Sequence, residues 1–275
     1  DITNNDITNN DIKNKIKTIL SDLDVCSKRF LTTKVDRSVT GLIAQQQCVG
    51  PLGVPISNYN LASLSHFDIK GVTSSIGERP YLGLFSPSLQ AEYSVCEMLT
   101  NIVGVYIGDI ENIKCSVNWM WPNNYKNEAL KLYNTANHLT TCMFLLGVGI
   151  DGGKDSLSMM VKTADDTIVS PGNVVITGYS PCIDIYKKVT PDFKTVGSKV
   201  ILISFVESDN INGFKSTNYR LKGSIFSKYK DNINNLDLSE SKVLLPSSLD
   251  MLYVKRVFNF IPVSYTHLRA HETRG

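Results

Sequence analysis

Apolar residues recur at helical spacing through Leu89, Tyr93, Cys96, Leu99, Val103 and Tyr106, which predicts one long helix over 86–107. Ser86 is placed to cap it, and Pro87 stands at the first helical position, where a missing N–H costs nothing. A second helix is predicted over 127–146, with Leu130, Tyr133, Asn137, Thr141 and Phe144 along one stripe and Gly147 as its stop. Short β-rich runs predict strands at 60–64, 113–117, 157–162, 174–179 and 199–206. Strands and helices alternating in this way indicate a layered α/β or α+β domain.

Both ends depart from the pattern. Residues 1–10 are the pentapeptide DITNN written twice, and with little apolar content residues 1–24 are expected to be a disordered or weakly helical insertion. Residues 264–275, SYTHLRAHETRG, hold two of the four histidines and read as a translated sequencing-library adapter without a structural role, so 262–275 is set aside and the chain is expected to be a truncated gene product. His267 and His271 have the spacing of a helical metal pair, but the break in composition argues against one.

Composition narrows the function classes. At 275 residues, 42% hydrophobic and 20% charged, the chain can bury one or two cores. A net charge of +2 provides no broad basic field, so nucleic acid is not indicated as a partner. The longest apolar runs, 143–148 and 200–206, fall far short of the roughly 20 residues a membrane helix needs. The start of the chain has no basic and apolar leader pattern. Cysteines 26, 48, 96, 115, 142 and 182 stand singly, without a C-x-x-C pair, which argues against a zinc site or disulfide framework and for reduced thiols in the cytoplasm.

Residues 148–159, VGIDGGKDSLSM, combine a glycine pair, a cation and two hydroxyls. Gly152 and Gly153 would let backbone N–H groups approach an anion, Lys154 adds a point charge, and Ser156 and Ser158 add donors. The segment is not a Walker loop: Val148 and Asp155 stand where that pattern needs Gly and Ser or Thr. A solvated hairpin loop with a lysine at its tip is the plainer alternative. Glu97 and Asn101 are four apart, so on a helix their Cβ atoms lie about 6 Å from each other. They can share a hard cation such as Mg²⁺ or simply form a solvated, hydrogen-bonded pair. Trp119 and Trp121, in Asn118-Trp-Met-Trp, can stack on a base or pack in a core. Arg37 fits a surface ion pair with Asp36 equally well.

Taken together, seven segments resemble one family: SKRFLTTKVDRSVTGL (27–42), QQQCVGPL (45–52), SIGER (75–79), EMLTN (97–101), KCSVNWMW (114–121), DGGKDSLSM (151–159) and SPGNVVITGY (170–179). In this order and spacing the chain is similar to the large, single-chain phosphoribosylformylglycinamidine synthases, the amidotransferases of de novo purine synthesis. The resemblance runs from about 25 to 193 and more weakly to about 260. It implies an α+β, aminoimidazole-ribotide-synthetase-like (PurM-like) fold. Residues 25–39 would end a preceding domain, 40–192 would form the second N-terminal nucleotide-binding domain, and 193–261 would begin its C-terminal α/β partner.

The resemblance also implies chemistry. ATP would activate the amide oxygen of formylglycinamide ribonucleotide as an iminophosphate, and glutamine-derived ammonia would displace phosphate. Ser57, Asn118, Gly152, Gly153, Lys154 and Ser156 are expected to bind nucleotide or substrate. Asn58, Glu97 and Asn101 are expected to hold Mg²⁺ at a second nucleotide site, where ADP can be a structural ligand without turnover. One departure is visible: Asn58, in Pro-Ile-Ser-Asn, replaces the family's aspartate, so Mg²⁺ should be held weakly. The family's catalytic histidine and its glutaminase Cys-His-Glu triad lie in other synthetase and glutaminase domains of the polypeptide, so no catalytic residue is expected here and the piece alone should not turn over. Aminoimidazole ribotide synthetase itself is the distant alternative, but it lacks the NWMW and SIGER pattern.

Overall fold

The computed structural model describes residues 9–199, 201, 203, 222–230 and 244–272. In order these form α1 (Asn9–Ser21), α2 (Arg29–Thr32), β1 (Ile43–Gln45), β2 (Tyr59–Ser63), β3 (Gly71–Glu78), α3 (Pro80–Gly83), α4 (Pro87–Ile102), β4 (Lys114–Met120), α5 (Glu128–Leu146), β5 (Gly149–Ser156), β6 (Met160–Lys162), β7 (Thr167–Val169), β8 (Asn173–Cys182), α6 (Ile225–Lys230) and α7 (Met251–Glu272). Six strands make the main sheet in the order β1-β2-β3-β8-β4-β5, and β6 pairs with β7 as a separate ribbon. All neighbours in the main sheet are antiparallel except β4 and β5, which are parallel. The layered α+β architecture expected from sequence is therefore present.

One face of the sheet is covered. Thr73, Ser75 and Gly77 of β3 point inward while Val72, Ile76 and Glu78 point out, the period-2 alternation of a half-covered strand. Helix α4 lies on the inward face with Ala91, Val95, Met98, Leu99 and Ile102 buried. Its approach is close enough to require glycine beneath it: a Cβ at Gly77 would meet the Ser94 carbonyl at 2.0 Å, and one at Gly178 would meet Met98 Sδ at 2.2 Å. Helix α5 packs beside α4, and Met251, Val254 and Phe258 of α7 join the same hydrophobic cluster.

The signals that mark α4 and α5 act as expected. Ser86 Oγ accepts from the Leu89 N–H at 3.4 Å, and Gly147 closes α5 at φ 75°. Helix α4 stops at Ile102, short of 107, because the chain turns at Gly104 onto Tyr59, whose ring would lie 2.7 Å from any Cβ there. The stripe that marks α5 in sequence is its outward one: Leu130, Tyr133 and Phe144 are 62%, 67% and 83% exposed. Thr135, Leu139, Cys142, Met143 and Leu146 face the core instead. Both arcs of this helix carry apolar residues at i, i+3, i+4 spacing, and only packing chooses between them.

The opening segment carries a helix over Asn9–Ser21, and α7 continues through the region read as adapter to Glu272. The strand expected over 199–206 falls largely outside the described residues. The six cysteines are free thiols. Burial pushes Cys96, Cys115 and Cys142 up to about 12, leaving them protonated and unreactive at neutral pH.

Candidate functional site

The glycine-lysine segment is not a loop. It is β5, the edge strand, paired with β4 from Lys114 opposite Gly149 to Met120 opposite Ser156. Neither Gly152 nor Gly153 has a positive φ, so no nest of converging N–H groups forms. Gly153 has a packing reason: its Cβ would sit 2.2 Å from the Val117 carbonyl oxygen. What remains of the expected site is a row of side chains. Glu78 pairs with Val175, Val175 with Asn118 and Asn118 with Lys154, so these four lie in one line on the helix-free face. Lys154 Nζ donates to Ser156 Oγ at 3.2 Å, one strand period further on. Lys154, Ser156 and Asn118 thus form a polar, cationic corner on β4 and β5.

The second group gathers at the end of β3. Glu97 and Asn101 project from one face of α4: Asn101 Nδ2 donates to the Ile76 carbonyl at 2.8 Å, and Glu97 Oε2 accepts the Glu78 N–H at 2.9 Å. Glu97 Oε1 faces Arg79 at 3.3 Å. Asn58 directly precedes β2, whose ladder with β3 ends at Tyr59 opposite Ser75. The structure thus brings Glu97 and Asn101 together at the end of β3. Ser57 is buried, and its Oγ has no hydrogen-bond partner among the described residues. The two groups are separate: three strand spacings of about 4.8 Å put Glu78 roughly 14 Å from Lys154.

Sequence reasoning assigned no role to three residues that the geometry brings forward. Glu78 and Arg79 belong to the SIGER segment; a charged pair at a strand end just before Pro80 was the available signal. Glu78 Oε2 accepts from Asn173 Nδ2 at 2.8 Å, and Asn173 Oδ1 accepts from the fully buried Gln90 Nε2 at 3.3 Å. Tyr179, on the open face, donates its hydroxyl to Asp151, a bond that raises the tyrosine's pKa. The tryptophans divide. Trp121 is buried against Gly172, where a Cβ would lie 2.3 Å from the ring, so it is a core residue, whereas Trp119 is partly exposed. Arg37 pairs with Gln46, its Nε donating to Oε1 at 3.1 Å.

Among the described residues, no group of three or more His, Cys, Asp or Glu is placed to hold a metal ion, and no helix is long and apolar enough to cross a membrane. The family model described as the FGAR-AT PurM_N-like domain matches residues 27–181. Phosphoribosylformylglycinamidine synthase of Drosophila melanogaster is 47% identical over 190 residues, covering 68% of this chain and 14% of that protein. The Homo sapiens enzyme of the same name is 45% identical over 170 residues, covering 62% and 13%, and that of Dictyostelium discoideum 43% over 204 residues, covering 72% and 15%. The chain therefore spans about one seventh of the length of these relatives. Among solved structures, PurLQS from Thermotoga maritima overlaps 61% of this chain and 25% of its own at 16% identity, with a TM-score of 0.47.

Proposed function

Because the chain belongs to the family described as the FGAR-AT PurM_N-like domain, we propose that it is a nucleotide- and substrate-binding segment of an ATP-dependent ligase that converts formylglycinamide ribonucleotide to formylglycinamidine ribonucleotide. The observation that carries this reading is the extent of the match: residues 27–181 contain β1 to β7, nearly all of β8, and every site residue named from the sequence. In the proposed reaction the amide oxygen of the substrate takes the γ-phosphoryl group of ATP. Ammonia derived from glutamine in another domain of the cytoplasmic enzyme then forms the new C–N bond as phosphate leaves with the C–O electron pair.

The chain's own part is binding and charge placement. Lys154 supplies a fixed cation and Ser156 a hydroxyl donor to phosphate oxygens, with Asn118 across the strand pair to orient the ligand. Mg²⁺, when bound in such a reaction, offsets charge on the transferring phosphate. Asn58, Glu97 and Asn101 offer oxygens of the right kind, but as placed they do not fit the ion. Both Glu97 oxygens are engaged, by Arg79 and by the Glu78 N–H, and Asn58 brings no charge.

Calorimetric titration of the 275-residue chain with ATP and with formylglycinamide ribonucleotide tests the reading. Saturable binding of at least one is expected, weakened tenfold or more in Lys154→Ala. No binding of either by the unaltered chain would sink the reading, and unchanged binding by Lys154→Ala would remove Lys154 from the site.

A further inference from the structure

We infer that Arg79 is the resident cation of the α4 site, so that nucleotide phosphate is held there by a guanidinium and with little dependence on Mg²⁺. The inference rests on the proposed nucleotide-binding reading and specifies how one of its two residue groups works. Four observations lead to it. The Glu97 carboxylate, the one charged group among the three expected metal ligands, is already matched by Arg79 Nη2 at 3.3 Å. Its second oxygen is fixed by the Glu78 N–H at 2.9 Å. Asn101 brings only a neutral amide, its nitrogen donating to the Ile76 carbonyl at 2.8 Å. Asn58, just before β2, is neutral. A divalent ion entering here would have to displace Arg79 and then find a single full negative charge among those three ligands.

Arg79 suits the alternative role. It precedes Pro80, which restricts its backbone, and it sits at φ −143°, ψ 59° between β3 and α3, so its side chain starts from a fixed point. Its side chain is 48% exposed while that of Glu97 is 28% exposed, so the pair is open on the arginine's side. A guanidinium has five N–H donors in a planar fork, and a carboxylate contact through Nη2 leaves a second edge with the geometry to meet phosphate. Glu97 then acts as a positioning residue that aims the arginine, and Glu78, held by Asn173, which Gln90 holds in turn, fixes the strand end from which Arg79 projects.

The discriminating experiment is ADP binding by the full 275-residue chain in excess EDTA and in Mg²⁺. The unaltered chain should bind ADP in EDTA within about threefold of its affinity in Mg²⁺. Arg79→Gln should lose at least tenfold in EDTA, and Arg79→Lys should fall between the two. Glu97→Ala should weaken ADP binding less than Arg79→Gln does, and by the same factor in EDTA and in Mg²⁺, because the arginine survives but is no longer aimed; a loss seen only in Mg²⁺ marks Glu97 as a metal ligand and overturns the inference. ADP binding by the unaltered chain that is abolished by EDTA, or an Arg79→Gln variant that binds like the unaltered chain in EDTA, overturns the inference. Either result leaves the broader reading standing, since that is judged by ATP and formylglycinamide ribonucleotide at Lys154.

Discussion

Gly152 and Gly153 are neighbours whose identities answer to different forces. A methyl group at Gly153 would press on the Val117 backbone oxygen at 2.2 Å, and a backbone atom of the adjacent strand cannot rotate away. At Gly152 the nearest atom is Ser116 Oγ at 3.7 Å, an ordinary contact distance. Gly153→Ala should therefore cost about 1–3 kcal/mol as overpacking, whereas Gly152→Ala should stay within about 0.5 kcal/mol of the unaltered chain. Urea unfolding midpoints compare the two, and equal losses would show that the β4–β5 approach is not what glycine serves at 153. The same pair shows what the residues could tell in advance. A glycine that admits a phosphate and a glycine that admits a neighbouring strand are the same letter, and the choice depends on β4, distant in sequence. Glu97 and Asn101 were legible because the α-helix itself makes positions four apart adjacent. Their engagement by Arg79 and Ile76 depends on how α4 crosses β3, which no local spacing encodes.

At the scale of elements, α4 and α5 were legible because their start and stop signals are local: a serine cap, a proline in the first turn and a left-handed glycine after the last. Strand β5 was not. Its interior is Ile-Asp-Gly-Gly-Lys-Asp, a polar and mostly exposed run without hydrophobic alternation, and it becomes a strand through pairing with β4 at the sheet edge. The contact that ties the helices to the later chain was equally hidden. Glu92, 2% exposed on α4, accepts the Leu249 N–H at 2.8 Å and the Ser248 hydroxyl at 2.6 Å, and its Oε1 lies 2.5 Å from His138 Nε2 on α5. One carboxylate thus satisfies three groups, one on α5 and two in the segment just before α7. Glu92→Ala strands these groups and should cost about 3–5 kcal/mol, the usual penalty for breaking a buried charged network. Glu92→Gln, which keeps one acceptor oxygen, should lose less. Limited proteolysis across 244–250 gives a second readout, with faster cleavage in Glu92→Ala; cleavage at the unaltered rate would show that the carboxylate does not anchor this segment.

At the scale of the whole molecule, the family match ends at 181, yet segments before and after it are joined to each other. Asp22, at the end of α1 and 5% exposed, accepts from Lys228 Nζ at 2.8 Å and the Tyr229 hydroxyl at 2.6 Å, both on α6, and from the Asp24 N–H at 2.9 Å. The lysine bond first, and the tyrosine bond second, hold the Asp22 carboxyl well below the usual carboxylate range, while the same bond raises Lys228. The sign of the pH effect follows. A carboxyl depressed in the folded state binds its proton more readily when unfolded, so its stabilisation is complete above the unfolded value of about 3.9 and is lost as pH falls toward the folded value. A lysine raised in the folded state contributes fully below its unfolded value of about 10.4 and loses that contribution as pH rises through the folded one. The tether should therefore hold at constant strength across neutral pH and weaken at both ends. The measurement is the difference in unfolding free energy between the unaltered chain and Asp22→Asn, in which the other titrating groups largely cancel. That difference should be level from about pH 5 to pH 9 and shrink steadily below about pH 4. A difference that stays level down to pH 2 would mean that Asp22 titrates alike in both states, and that α1 is not tied to α6 through its charge.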